Sequence, residues 1–185
     1  METTKQKLWT VDEYYRMADA GILDPEERTE LVDGQIIIMA AKKPPHVITT
    51  ELAADYLGGL LFGLAHVRLQ DPVSLDSRSE PEPDIAVVVP PLRRYLDHHP
   101  TPAEIFLIIE VADATLKLDT KRKAKMYAQA GIEDYWVVDA TAHRVYIFRE
   151  PDGGRYNQEF VLGADDTIRP LAFLDVEVEL RQFFP

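Results

Sequence analysis

Two uninterrupted apolar runs, Ile85-Ala86-Val87-Val88-Val89 and Ile105-Phe106-Leu107-Ile108-Ile109, restrict the fold more than any other feature of the chain. Neither alternates polar with apolar residues, so neither can lie with one face in water. Runs of this kind are strands covered on both faces, and helices must supply the cover. The predicted fold class is therefore α/β, a mixed β-sheet flanked by helices. Each run also carries a carboxylate: Asp84 stands immediately before the first and Glu110 immediately after the second. A carboxylate beside a dry core is costly unless something pairs with it. Asp84 can be no more than a strand-start residue, or it can belong to a site.

The rest of the chain reads as further elements of the same sheet. Thr10-Val11-Asp12-Glu13 predicts a capping box opening a short helix that ends near Gly21. Asp33-Gly34, between Thr29-Glu30-Leu31-Val32 and Gln35-Ile36-Ile37-Ile38-Met39, predicts a tight hairpin because both turn residues tolerate positive φ. A core-packing helix is expected from about His46 to Leu64, and a strand over Val67 to Leu75. Residues 90–103, rich in Pro, Arg and His, read as an irregular or partly helical connection. After the run ending in Val111, Asp119 is expected to cap a helix that reaches Ala130, with Gly131 as its stop. Tyr135–Val138 and Val145–Phe148 form a second predicted hairpin, followed by a third strand pair around Phe160–Leu162 and a short C-terminal helix.

Composition bounds the function. No cysteine is present among the 185 residues, so neither disulfides nor thiolate chemistry contribute, which fits a reducing cytoplasm. The apolar runs fall far short of the roughly 20 residues needed to span a bilayer, and the first five residues are no signal peptide. A soluble cytoplasmic protein of one domain, residues 1–185, is expected. A net charge of −12 argues against broad, non-specific nucleic-acid binding, which relies on dense Lys and Arg. The exception is local: Lys117, Lys121, Arg122, Lys123 and Lys125 make a basic patch that can be a solvated helix face or a phosphate contact.

If the two buried strands are antiparallel neighbours, Asp84 and Glu110 meet at one end of the sheet. The chain leaves that end into the helix carrying Lys123, with Tyr127 one turn further on the same face. Two carboxylates there can hold a hard cation such as Mg²⁺, with the Val111 carbonyl as a further oxygen ligand. Such an ion can lower the pKa of a bound water, and a nearby ammonium can stabilise charge on a phosphoryl group. Lys123 can equally be the ion-pair partner that makes the cluster purely structural.

Pro83-Asp84, Glu110 and the basic helix resemble the restriction-endonuclease-like, PD-(D/E)xK nuclease superfamily. More narrowly the chain resembles the Uma-two family of bacterial endonucleases. The resemblance runs through Thr29–Ile36, Pro44-Pro45-His46, Glu82–Val88, Ile109-Glu110-Val111, the four-residue steps Asp119, Lys123, Tyr127 and Gly131, and Glu133–Asp139. It implies a restriction-endonuclease-like core with additional β-hairpins, cleavage of DNA with Mg²⁺ or Mn²⁺, and a homodimer. Asp84, Glu110 and Lys123 would carry the chemistry, Glu30 would be an accessory acid, and His46, Lys121, Arg122 and Tyr127 would contact substrate. Two departures stand out: Ala112 occupies the position of the superfamily lysine, whose role then passes to Lys123, and Asp113-Ala114-Thr115 replaces a Ser-Pro-Ser-Thr type segment. The competing expectation is an inactive nuclease-fold binding or assembly module in which the same residues form an ion-pair network.

Overall fold

The computed structural model describes residues 4–113 and 115–185. Helix α1 (Val11–Asp19) opens with the predicted capping box: Thr10 Oγ1 accepts from the Glu13 N–H while the Glu13 carboxylate accepts from the Thr10 N–H. Strands β1 (Thr29–Val32) and β2 (Gln35–Ile38) pair as the expected hairpin, with Asp33 and Gly34 at φ of 51° and 74°. Gly34 has no room for a side chain, since a Cβ would lie 2.8 Å from Leu8 Cβ. Helix α2 (Pro44–Leu60) starts two residues before the expected position. Its first-turn prolines cost nothing there because those N–H groups have no intrahelical partner.

The main sheet contains β3 (His66–Leu69), β4 (Ile85–Val88), β5 (Ile105–Ala112), β6 (Asp134–Asp139), β7 (Arg144–Asp152) and β8 (Arg155–Gly163), in that spatial order. All neighbours are antiparallel except β5 and β6. The sheet is therefore mixed, as the apolar runs predict. Alternation along β4 and β5 sorts their side chains. Ile85, Val87, Leu107, Ile109 and Val111 face α2 and the C-terminal segment, whereas Ala86, Val88, Ile108 and Ala112 face the opposite layer. Glu110 shares the parity of Ile108 and Ala112, so it points into that second layer.

A parallel pair needs a crossover, and here it is the helix over the second layer. It begins where the Thr115 carbonyl accepts from the Leu118 and Asp119 N–H groups, runs through a wide π-helical turn (Leu118–Lys123) and continues as α3 (Ala124–Gln129). Gly131, at φ 77°, ends it as expected. Asp119 does not cap this helix but lies inside it, and it is only 3% exposed. The wide turn, whose Ala124 N–H reaches back to the Asp119 carbonyl, leaves Asp119 and Lys123 both buried. The chain is already helical from Leu116, so Thr115 and not Asp119 stands at its start.

Other expectations shift for local reasons. The strand expected over residues 67–75 stops at Leu69, because Gln70 adopts φ 55° and turns the chain so that its N–H donates to the Asp84 carbonyl. The connection after β4 is partly helical as expected, with two short 3₁₀ turns, Leu92–Tyr95 and Pro102–Glu104. A small pair, β9 (Thr167–Ile168) and β10 (Val178–Glu179), precedes a closing 3₁₀ turn, Leu180–Phe183, that buries Leu180 and Phe183 against the layer containing α2. Among the described residues no helix is long and apolar enough to cross a membrane.

One buried ion pair fastens the far end of the sheet. Asp134, fully buried, accepts from Arg149 Nε at 2.8 Å, Trp136 Nε1 at 2.7 Å and the Leu171 N–H at 2.9 Å. Asp134→Ala would strand a guanidinium that is only 12% exposed. Urea denaturation is expected to show a loss of about 3–5 kcal/mol.

Candidate active site

Ile85 lies opposite Ile109, so the next pair outward is Asp84 and Glu110. The antiparallel arrangement expected of the two strands is present, and it brings their terminal carboxylates to one end. The ladder hands over to a side chain there: Asp84 Oδ2 accepts the Val111 N–H at 2.9 Å. His46 Nε2, from the first turn of α2, lies 3.1 Å from the same oxygen, while Lys42 Nζ is 3.4 Å from Oδ1. Thr50 Oγ1 donates to the His46 carbonyl one turn along, so the start of α2 is held locally as well. Burial pushes the Asp84 carboxyl up, but His46, the Val111 N–H and Lys42 together outweigh it and hold it below the usual range.

Glu110 is the meeting point of sheet and crossover helix. Its Oε1 accepts from Lys123 Nζ at 3.0 Å and from the Tyr127 hydroxyl at 2.8 Å. Lys123 Nζ also lies 3.3 Å from Glu30 Oε1, on the hairpin. Glu30 Oε2 in turn accepts the Glu82 N–H at 3.1 Å, tying the hairpin to the segment that delivers Asp84. The electrostatics follow from burial. It drives Glu110 up to about 8, against the attraction of Lys123 and with help from Asp84, Asp119 and Glu30. Asp119 rises to about 6 for the same leading reason. For Lys123 burial acts downward, but Glu110, Glu30 and Asp119 override it and raise the ammonium above its ordinary value.

These groups line a cleft of about 260 Å³, which also takes in Lys42, His46, Val111 and Asp113 and has one wall of Ile37, Ile38 and Met39. The remaining candidates fall outside it. Lys121 is exposed on the outer side of the helix. Arg122 reaches the hairpin instead, donating to Gln35 Oε1 at 2.7 Å. Tyr127 is fully buried beneath Lys123, its ring 4.8 Å from that of Tyr135. Sequence reasoning missed Lys42 and the inward turn of Asp119. For Lys42 a signal existed: lysines directly before a helix start are electrostatically unfavourable there and call for a reason.

The donor set suits a hard cation. Among the described residues no three His, Asp or Glu side chains gather closely enough to hold a metal ion by themselves. Mg²⁺ does not require that, since it commonly takes one or two carboxylates and keeps several waters. Asp84 and Glu110 offer only oxygen. Six acidic side chains, Glu30, Glu82, Asp84, Glu110, Asp113 and Asp119, line the cleft against three lysines, Lys42, Lys43 and Lys123, so acidic groups outnumber basic ones there. The residues present therefore fit such an ion.

Comparison with known proteins converges on one description. Residues 11–181 match the profile of a family described as "Putative restriction endonuclease". A solved structure from Anabaena variabilis ATCC 29413, described as "a putative nuclease belonging to DUF820", superposes with a TM-score of 0.71 over 94% of this chain and 96% of its own. At 15% identity that likeness is one of fold. No curated protein matches the chain in sequence.

The cluster can be tested without any substrate. Tyr127→Phe removes one donor from a buried carboxylate and should cost about 1.5–3 kcal/mol in urea denaturation. Lys123→Met leaves the surrounding carboxylates uncompensated and should cost about 3–5 kcal/mol. A loss from Lys123→Met below that from Tyr127→Phe would mean that the ammonium is not what holds the cluster together.

Proposed function

The chain belongs to the Uma2 family of restriction-endonuclease-like nucleases, and we propose that its acidic cleft hydrolyses DNA phosphodiester bonds with a divalent cation, Mg²⁺ or in its place Mn²⁺. The observation that carries this reading is the pairing of Asp84 and Glu110 at the ends of adjacent strands with Lys123 on Glu110. Asp84 and Glu110 would hold the cation. In an extended strand the N–H and C=O of one residue point to the same side, so the Val111 carbonyl lies on Asp84's side of β5 and would be the further ligand. Bound there, the ion supplies Lewis-acid charge at a phosphoryl oxygen and a more acidic water.

The chain's own residues do the rest. Lys123, fixed on two sides by Glu110 and Glu30, has a third N–H for the cleft it lines, where it would orient the attacking water or meet negative charge growing on the phosphoryl oxygens. Attack forms a bond from the water oxygen to phosphorus as the bond to the leaving oxygen breaks; the water's proton passes to solvent, and the departing oxygen takes up a proton from solvent or from Glu30 as the accessory acid. Ala112, at the position of the superfamily lysine, shares its face with Glu110 and packs in one layer with Ala124 and Tyr127. A small residue there lets the helix come close enough to deliver Lys123 in its stead. The exposed Lys117, Lys121 and Lys125 on the helix's outer side are the natural contacts for flanking phosphates.

A second reading has an observation of its own. Asp84 Oδ2 already has two partners and Glu110 Oε1 has two, so the cluster is largely satisfied as an ion-pair network, as an assembly module would need. Nicking of supercoiled plasmid under Mg²⁺ or Mn²⁺ titration separates the two. Asp84→Asn and Glu110→Gln, checked for folding by thermal melting, are expected to lose at least about 100-fold in rate. Equal residual rates in wild type and both variants would point to a contaminant and sink the catalytic assignment.

A further inference from the structure

The hydrolysis proposed above makes no use of Lys42, yet this ammonium is buried against the very carboxylate that would hold the cation. Nζ lies 3.4 Å from Asp84 Oδ1 on a side chain only 16% exposed. Among the described residues Nζ makes no hydrogen bond, although it is shut off from water. Burying an ammonium without hydrogen-bond partners is unfavourable, and so is a cation just ahead of a helix start, where the dipole is positive. The charge of Asp84, with a smaller pull from Glu110, holds it in place. The neighbouring Lys43 is different: it is 70% exposed and reaches Asp113 at 3.6 Å.

The two Asp84 oxygens are not equivalent. Oδ2 is taken by the Val111 N–H at 2.9 Å and by His46 at 3.1 Å. Oδ1 has Lys42 and, at 3.5 Å, the Gln70 side-chain amide. Oδ1 is therefore the oxygen open to a cation, and Lys42 stands on it. An ammonium and a divalent cation cannot share one carboxylate oxygen at contact distance without strong repulsion.

Resting on the cation-dependent reading of the cleft, we propose that Lys42 is a resident counter-ion of Asp84 that must leave Oδ1 for the divalent cation to bind, and that a phosphate group is the partner it then takes. Lys42 lines the cleft, so the displaced ammonium stays where a phosphodiester would lie. Phosphate oxygens supply the acceptors that Nζ lacks in its resting place. Cation binding alone then sacrifices an ion pair, whereas cation and phosphate together do not. The coupling is reciprocal: phosphate tightens the cation by the factor by which the cation tightens phosphate. Lys42 is thus a positioning residue that keeps the cation weakly held until substrate arrives.

Calorimetric titration with Mn²⁺ tests this on folded wild type, Lys42→Met, Lys42→Gln and Lys43→Met, each with and without thymidine 5′-phosphate as the phosphate probe. Without nucleotide, both Lys42 variants are expected to bind Mn²⁺ about tenfold more tightly than wild type, a coupling of ordinary size. Lys43→Met should stay close to wild type, and nucleotide should tighten Mn²⁺ binding by a larger factor in wild type than in either Lys42 variant. Melting with and without Mn²⁺ gives an independent readout, with the larger rise in Tm for Lys42→Met. If wild type binds Mn²⁺ and the Lys42 variants bind it no more tightly, or Lys43→Met gains as much, the role of Lys42 is overturned while the cation site stands. If none of the four proteins binds Mn²⁺, the cation-dependent reading itself fails and takes this inference with it.

Discussion

The ammonium of Lys123 is where three separate parts of the chain meet. The crossover helix carries it, β5 meets it through Glu110, and the β1–β2 hairpin meets it through Glu30. At 6% exposure it has lost most of its hydration, so its partners must replace what water gave. That demand fixes more than one contact. It sets the height of the helix over the sheet, keeps Tyr127 turned toward Glu110, and holds the hairpin against the segment leading into Asp84, where Glu30 accepts the Glu82 N–H. A buried pair of this kind adds little net stability compared with well-packed apolar residues. Its value lies in holding charge at a defined place.

The acidic balance of the chain becomes intelligible from the same arrangement. Negative charge is concentrated inside the cleft, where a hard cation would use it, while Lys117, Lys121 and Lys125 lie on the outside of the helix that covers it. A protein of net charge −12 can meet a polyanion in this way only along a narrow track. Affinity for nucleic acid from such a track would be modest and sensitive to salt, since each phosphate contact releases counter-ions.

How much could be read beforehand depended on whether a feature is local. The central strands were legible because a run such as Ile85–Val89 cannot be solvated on either face. The hairpin was legible because Asp33-Gly34 accepts positive φ at both positions. Asp84 and Glu110 stand out as charges bordering those runs, Lys123 through the helix that leaves the same sheet end, and Glu30 through the motifs of a known family. What escaped depends on tertiary contact. Gln70 has no intrinsic leaning toward φ 55°, so nothing in its surroundings announced that the strand would stop at Leu69. Asp119 has the chemistry of a cap, but the chain turns helical ahead of it, from Leu116, and leaves it inside the helix. Arg122 looked like a phosphate contact because its neighbours are basic, and only the fold shows that Gln35 occupies it.

The π-helical turn between Leu118 and Lys123 has a further consequence for how this architecture can vary. It is in effect one surplus residue stored in the helix. Losing one residue of it ahead of Lys123 would let the turn relax to ordinary α geometry, rotating the preceding segment by about 100° relative to Lys123 and Tyr127. The inner pair, Glu110 with Lys123, would survive that change, whereas the rim around Asp113 and Thr115 would be re-aimed. The turn works as an adjustable joint: chains of this fold differing by a single residue here could keep the same charged interior while presenting a different mouth to whatever enters.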